Sequence, residues 1–176
     1  RMAVLVDDLV DFARGRMGGG LDLQLRREAQ LPQVFEQVIS ELQALYPHRR
    51  IRATIQPDIS LVCDAGRMGQ LLSNLLKNAL DHGTAGQSVD VSACADDESF
   101  ELVVSNAGAE IAPDVMRQLF QPFWRAAPRE GAGGLGLGLF IVAEIAKSHG
   151  GHVSVASAAG RTSFKFRMNL ASALQA

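Results

Sequence analysis

The chain has 176 residues, of which 47% are hydrophobic and 20% charged, and a formal net charge of −2. That length supports one domain with its own core. The composition excludes a disordered or fibrous chain, and the lack of a Lys/Arg excess excludes the electrostatic footprint of a nucleic-acid binder. Cys63 and Cys94 have no CxxC or CxH spacing, no apolar run approaches the roughly 18 residues that cross a bilayer, and Arg1-Met2-Ala3 does not open a signal peptide. The expectation is a soluble, cytoplasmic fragment without disulfides, zinc or membrane contact, whether or not a larger parent is membrane-anchored.

Met2, Leu5, Leu9 and Phe12 recur at spacings of three and four, with Asp7, Asp8 and Asp11 between them, which predicts an amphipathic helix. Gly15 and Gly18-Gly19-Gly20 break it, so the boundaries are set at 1–14 for a helical appendage, 15–20 for a linker and 21–176 for the domain proper. Leu21, Leu23 and Leu25 alternate with polar residues as in a half-buried strand. A helix with Pro32 in its first turn then presents Val34, Phe35, Val38, Ile39, Leu42 and Leu45 on one face. Short strands are predicted over Ile51–Ile55 and Leu61–Cys63, with Gln56-Pro57-Asp58 as the turn between them.

A long helix is predicted over Ala65–His82. Met68, Leu71, Leu72, Leu75, Leu76 and Ala79 form its core stripe, and Asn74, Asn78 and Asp81 or His82 share a neighbouring face. Val89, Val91 and Ala93, then Phe100, Leu102 and Val104, alternate in two strands joined by a hairpin at 95–98. A short helix follows Pro113, then an irregular stretch from Trp124 to Gly133. A helix from Gly138 to His149 is closed by Gly150 and Gly151, and two last strands carry Val153 and Val155, then Phe164, Phe166 and Met168. His149 reads as a residue whose positive charge suits a helix C-terminus. The sum is an α+β two-layer sandwich: a mixed, mostly antiparallel sheet with helices on one face.

Chemistry is concentrated in three segments. Gly131-Ala132-Gly133-Gly134-Leu135-Gly136-Leu137-Gly138-Leu139 stands directly before an apolar helix, where glycines let backbone N–H groups approach an anion and the helix start adds aligned dipoles. Residues 131–136 satisfy GxGxxG, but a polar, proline-containing loop precedes them instead of a strand, and no acidic residue stands about twenty positions on, so the dinucleotide reading fails. No Gly-Lys-Ser/Thr follows, which excludes a Walker A loop. Asn74 and Asn78 point the same way on their helix and could hold a hydrated Mg²⁺ between protein and phosphates, although two such asparagines alone are as well explained by solvation or capping. Ser105-Asn106-Ala107-Gly108 ends a strand with an amide that could read the edge of a flat heterocycle, and taken singly it is a turn.

In this order the segments resemble the ATP-binding domain of bacterial sensor histidine kinases, within the group that also holds type II topoisomerase, heat-shock chaperone and mismatch-repair ATPases. Asn74 to His82 resembles the N box, Ser105 to Ile111 the G1 box, Leu119-Phe120-Gln121-Pro122-Phe123 the F box, Gly134 to Gly138 the G2 box, and Gly160-Arg161-Thr162-Ser163-Phe164 the last glycine-threonine motif. The resemblance implies ATP and Mg²⁺ as cofactors, with Asn78 as the metal ligand, Asn74 and Arg125 in catalytic roles at the phosphates, and His82 beside the ribose or phosphates. It further implies Asn106, Gly108, Ile111 and Thr162 around the adenine. Gly134, Leu135, Gly136, Leu137 and Gly138 would form the phosphate loop, and Phe120 and Phe123 the base of a short ATP lid spanning Trp124 to Gly133. Residues 1–14 resemble the end of the second helix of a dimerisation domain. None of His48, His82, His149 and His152 sits in a phosphoacceptor motif, so the target histidine is expected on a dimerisation helix outside this fragment, in a homodimeric parent served by a cognate response regulator. Asn-x-Gly with the Gly-Leu-Gly-Leu-Gly-Leu loop resembles kinases attached to phytochrome-like or PAS-type sensors.

Four positions depart from the family pattern. Asn106 stands for the usual aspartate and loses a charge-assisted bond. Asp81 stands where many relatives have a lysine, and would repel phosphates at close range. Glu110 and Arg161 replace glycines, so the backbone at those turns is expected to differ. These departures keep open a nucleotide-independent docking domain beside the kinase reading. A conformational ATPase is disfavoured because Asn74 occupies the place of the water-activating glutamate, and an amide cannot take that proton.

Overall fold

The computed structural model describes residues 9–13, 20–28, 30–125 and 135–170. Residues 9–13 are helical. There follow β1 (Arg26–Glu28), α1 (Leu31–Leu45), β2 (Ile51–Ile55), β3 (Leu61–Cys63), α2 (Ala65–His82), β4 (Val89–Ala95), β5 (Ser99–Ala107), α3 (Pro113–Met116), α4 (Gly138–Ser148), β6 (Gly151–Ala158) and β7 (Arg161–Asn169). The main sheet has the order β2-β4-β5-β7-β6, with β2 parallel to β4 and the other pairs antiparallel, while β1 and β3 form a separate antiparallel ribbon.

Strict alternation gives this sheet its two faces. Val89, Val91, Ala93, Phe100, Leu102, Val104, Phe164, Phe166 and Met168 are buried in one core with the inward stripes of α2 and α4. Each such leucine or phenylalanine stabilises the fold by about 1.5–3 kcal/mol relative to exposure. The opposite face carries polar cross-strand pairs. Asp90 meets Arg52 at 2.7 Å and Arg161 at 2.9 Å, and Glu101 meets Lys165 at 3.1 Å. The Arg52 hydrogen bond holds the Asp90 carboxyl below the ordinary carboxylate range. The α+β two-layer reading therefore stands.

Asp64 caps α2 by accepting from the Arg67 N–H at 3.1 Å, which fixes where the central helix begins. Arg67 also pairs with the buried Asp11 at 2.6 Å, and Phe12 packs edge-on against Phe123 and Phe140, so the described part of the N-terminal segment lies on the domain. Residues 1–8 and most of the expected linker lie outside the described residues.

Three expectations are corrected. Leu21, Leu23 and Leu25 form no ladder, because β3 is only three residues long and pairs with Arg26–Glu28. The backbone donors of Leu21 and Gln24 go instead to Ser148 Oγ and Asp64 Oδ2, at 3.1 and 3.0 Å. Leu45 is not on the core face of α1: it is 71% exposed, in the last turn before the chain leaves the helix at Tyr46. His149 is not a helix-end cation. Its Nδ1 bonds the Ile145 carbonyl at 2.8 Å and its Nε2 accepts the Asp64 N–H at 3.1 Å, a pattern only the neutral ring can make, and burial lowers its pKa accordingly.

Candidate functional site

One end of the site forms where α2 meets α4. Asn74 is half-buried on α2, and a side-chain carbon on Gly138, the first residue of α4, would lie 3.8 Å from the Asn74 amide carbon and oxygen. Asn74 Nδ2 is buried without an acceptor, which costs about 1–3 kcal/mol in the unliganded domain. Asn78 follows one turn later, half-buried on the same side. Leu137 buries its side chain while the backbone N–H groups of residues 138–140 stand free of intrahelical acceptors at the start of an 11-residue helix. Unspent amide donors thus meet the positive end of a helix dipole, an arrangement suited to an oxyanion.

Gly136 is what turns the loop into that position. Its φ of +70° is left-handed, and a side-chain carbon there would come within 2.9 Å of the Trp124 oxygen and 3.0 Å of the Phe123 carbonyl carbon. The Phe123 N–H donates to the Gly136 oxygen at 3.0 Å, so the loop is laid directly on residues 123–125. Arg125 is exposed there, with its Cγ 3.2 Å from the same point on Gly136.

The other end forms where β5, β7 and the C-terminus of α2 converge. Asn106 is 5% exposed; its Nδ2 donates to the Ala107 carbonyl at 3.1 Å, which leaves Oδ1 as the acceptor it presents. Asn106 stands opposite Thr162 in the β5–β7 ladder. Thr162 Oγ1 bonds Ser157 Oγ at 2.9 Å, and Ser157 Oγ accepts the Ile111 N–H at 2.9 Å. The Gly108 N–H donates to the Gly160 oxygen at 2.9 Å, and a side chain on Gly108 would meet Asn106 Nδ2 at 3.3 Å and the His82 carbonyl at 3.7 Å. Asn106, Gly108, Ile111, Thr162 and the His82 backbone are thereby brought together.

Other expected residues divide. Asp81 accepts from Tyr46 Oη at 2.9 Å, and the His82 side chain is exposed at the helix end. Phe120 packs edge-on against Phe164 beneath the sheet, whereas Phe123, at φ 62°, is 52% exposed and faces Phe12. Leu135 is exposed, and Gly134 lies outside the described residues, as does the part of the expected lid from 126 to 133. Glu110 and Arg161 have no left-handed φ, and Arg161 is an ordinary strand residue. Sequence reasoning missed Ser157, whose signal is only its register opposite Thr162.

The family described as histidine kinase-, DNA gyrase B-, and HSP90-like ATPase matches residues 63–172. A bacteriophytochrome of Pseudomonas aeruginosa is 32% identical over 88% of this chain and 21% of its own length; the sensor histidine kinase TrcS of Mycobacterium tuberculosis is 33% identical over 96% and 34%. The chain thus spans about a fifth to a third of these curated relatives. The solved structure of full-length ShkA in complex with AMPPNP shares 29% identity and a TM-score of 0.76 over 94% of this chain and 35% of that one. The histidine kinase AdeS of Acinetobacter baumannii, at 21% identity and a TM-score of 0.75 over 96% of this chain and 78% of that one, has the same fold. By this match the chain is homologous to sensor histidine kinases and belongs to the histidine kinase-, DNA gyrase B-, and HSP90-like ATPase family.

Proposed function

We propose that the chain is the catalytic module of a two-component sensor histidine kinase. It binds ATP with Mg²⁺ and places the γ-phosphate for in-line attack by a histidine on a dimerisation helix, from which a cognate response regulator takes the phosphoryl group. The observation that carries this reading is that a side-chain carbon on Gly138 would lie 3.8 Å from the Asn74 amide, so the α2 amide stands close to the start of α4. From Asn74 to His82 the helix runs about 12 Å, a length comparable to an extended nucleoside triphosphate. Among relatives of known structure, ShkA was solved with AMPPNP, which supports a nucleotide of that class here.

The donor set fits the cofactors. Asn74 Nδ2 would donate to a phosphate oxygen, the 138–140 amides and Arg125 to others, and Asn106 Oδ1 would accept from the adenine amino group, with Thr162 and Gly108 beside it. Asn78 would hold Mg²⁺. Mg²⁺ usually sits with phosphates through one or two protein ligands and waters, and bound with the triphosphate it would neutralise charge. In such a site the work is positioning and charge neutralisation. Hydrolysis as the main task has less support, since Asn74 cannot serve as a base. The docking-only alternative is weakened because Tyr46 engages the Asp81 carboxylate.

Residues 1–14 would be the end of a dimerisation helix and 15–20 the linker to the catalytic domain, 21–176, with a homodimeric, cytoplasmic or membrane-anchored parent. Among the described residues no helix is long and apolar enough to cross a membrane. The test is titration with a nonhydrolysable ATP analogue with and without Mg²⁺. Asn78→Ala should weaken Mg²⁺-dependent binding on the order of tenfold and leave Mg²⁺-free binding unchanged; no binding at millimolar analogue would instead favour a docking domain.

A further inference from the structure

Arg49 lies in the loop between α1 and β2, outside every motif described above. Its Nη1 donates to the carbonyl of Gly83, the C-cap of α2, at 3.0 Å. The Gly83 backbone, at φ −69° and ψ 152°, suits any residue, so space is what demands glycine. A side-chain carbon there would lie 2.5 Å from the Ala79 oxygen, 2.8 Å from Arg49 Nη2 and 3.2 Å from Asn106 Cβ. The guanidinium and the residue that presents an acceptor to the base therefore flank one α-carbon.

The loop that carries the arginine is anchored. Gln43 Nε2 donates to the Arg49 carbonyl at 2.6 Å, and Tyr46 ties the same loop to Asp81. Arg49 Nε is buried without an acceptor, as Asn74 Nδ2 is. Asn74 lies in the middle of α2, near the start of α4, whereas Arg49 lies at the C-cap of α2 on Gly83. A cation at a helix C-terminus is favourable in itself, but that role does not require a guanidinium placed where a Gly83 side chain would meet both it and Asn106, with a donor buried and without an acceptor.

We propose that Arg49 is a specificity-determining residue of the base site: its fixed positive charge makes a neutral amide at position 106, and not a carboxylate, the side chain that presents an oxygen to the amino group of an adenine-like base. The proposal rests on the ATP reading above. A carboxylate at 106 is drawn to Arg49, because opposite charges within about 4–6 Å favour one another and charge-assisted bonds are roughly twice as strong as neutral ones. It then turns from the base. The neutral amide of Asn106 is drawn less strongly, and its Nδ2 is held by the Ala107 carbonyl.

The test is a double-substitution cycle in the full chain, with a nonhydrolysable ATP analogue as the probe. Asn106→Asp is expected to weaken binding on the order of tenfold with Arg49 present and by no more than about twofold when Arg49→Gln accompanies it. NMR titration of the introduced carboxylate reads the same coupling without nucleotide: it should titrate below the ordinary carboxylate range beside Arg49 and return toward it with Arg49→Gln. Should Arg49→Gln fail to fold, titration of the Asn106→Asp protein alone decides, and an ordinary carboxylate value overturns the proposal. Equal affinity losses in both backgrounds overturn the role of Arg49 and leave the ATP reading standing. A folded, unsubstituted protein that does not bind the analogue overturns the ATP reading and this role with it.

Discussion

Asn74 stands so near Gly138 that a side-chain carbon on that glycine would lie 3.8 Å from the Asn74 amide, whose nitrogen is buried with no acceptor. The unliganded domain thus carries an unsatisfied donor whose only evident use is a ligand. Asn74→Ala should therefore raise the stability of the unliganded domain by about 1 kcal/mol, or about 2–4 °C in Tm, because it removes that donor and improves helix propensity. The same substitution should reduce affinity for an ATP analogue. Thermal melts with and without analogue check both halves, and a stability loss without an affinity loss would contradict the account.

Gly136→Ala places a side chain at φ +70° against the Trp124 and Phe123 backbone. Left-handed geometry alone costs a non-glycine residue about 1–2 kcal/mol, and the close approach forces the loop to move. The expected result is a folded domain, with far-UV circular dichroism unchanged, whose analogue binding is lost. Unaltered binding would mean that the loop has no part in holding the phosphates.

Ser157→Ala removes the bridge between the Ile111 N–H and the Thr162 hydroxyl, both at 2.9 Å. Leaving buried groups unpaired should cost about 1–3 kcal/mol in urea denaturation, and base selectivity between ATP and inosine triphosphate analogues should narrow. A neutral outcome in both measurements would remove Ser157 from the base pocket.

His149 supplies a pH dependence. Burial lowers its folded-state pKa below the unfolded value of about 6.5, so the unfolded chain binds a proton that the folded one refuses. This contribution to stability is present above about pH 6.5 and falls as pH drops through that value. Urea denaturation across about pH 5–8 should show the decline, and His149→Gln should lessen it; an identical slope in both proteins would contradict the assignment.

Much of this architecture is legible in the sequence because the core elements obey clean periods. Phe100, Leu102 and Val104 alternate as one buried face, and Leu71, Leu72, Leu75 and Leu76 recur as a helical stripe; both kinds of element appear where the pattern puts them. The failures occur where tertiary partners decide. Leu21 to Leu25 alternate like a strand, but β3 is too short to pair with them, and His149 looks like a helix-end cation until Asp64 is folded against it. At the site, glycines and amides at fixed spacing reveal the loop, the helix face and the strand end. Arg49 and Ser157 leave no local trace because their roles depend on contacts with residues distant in sequence.

Joint binding of one triphosphate by the α2 amides and the glycine loop can be read by NMR titration of the labelled chain with a nonhydrolysable Mg²⁺-ATP analogue. The Asn74 and Asn78 side-chain amides and the Gly136 and Gly138 backbone amides should shift along one saturation curve. Movement of only one set, or of neither at saturating analogue, would contradict it.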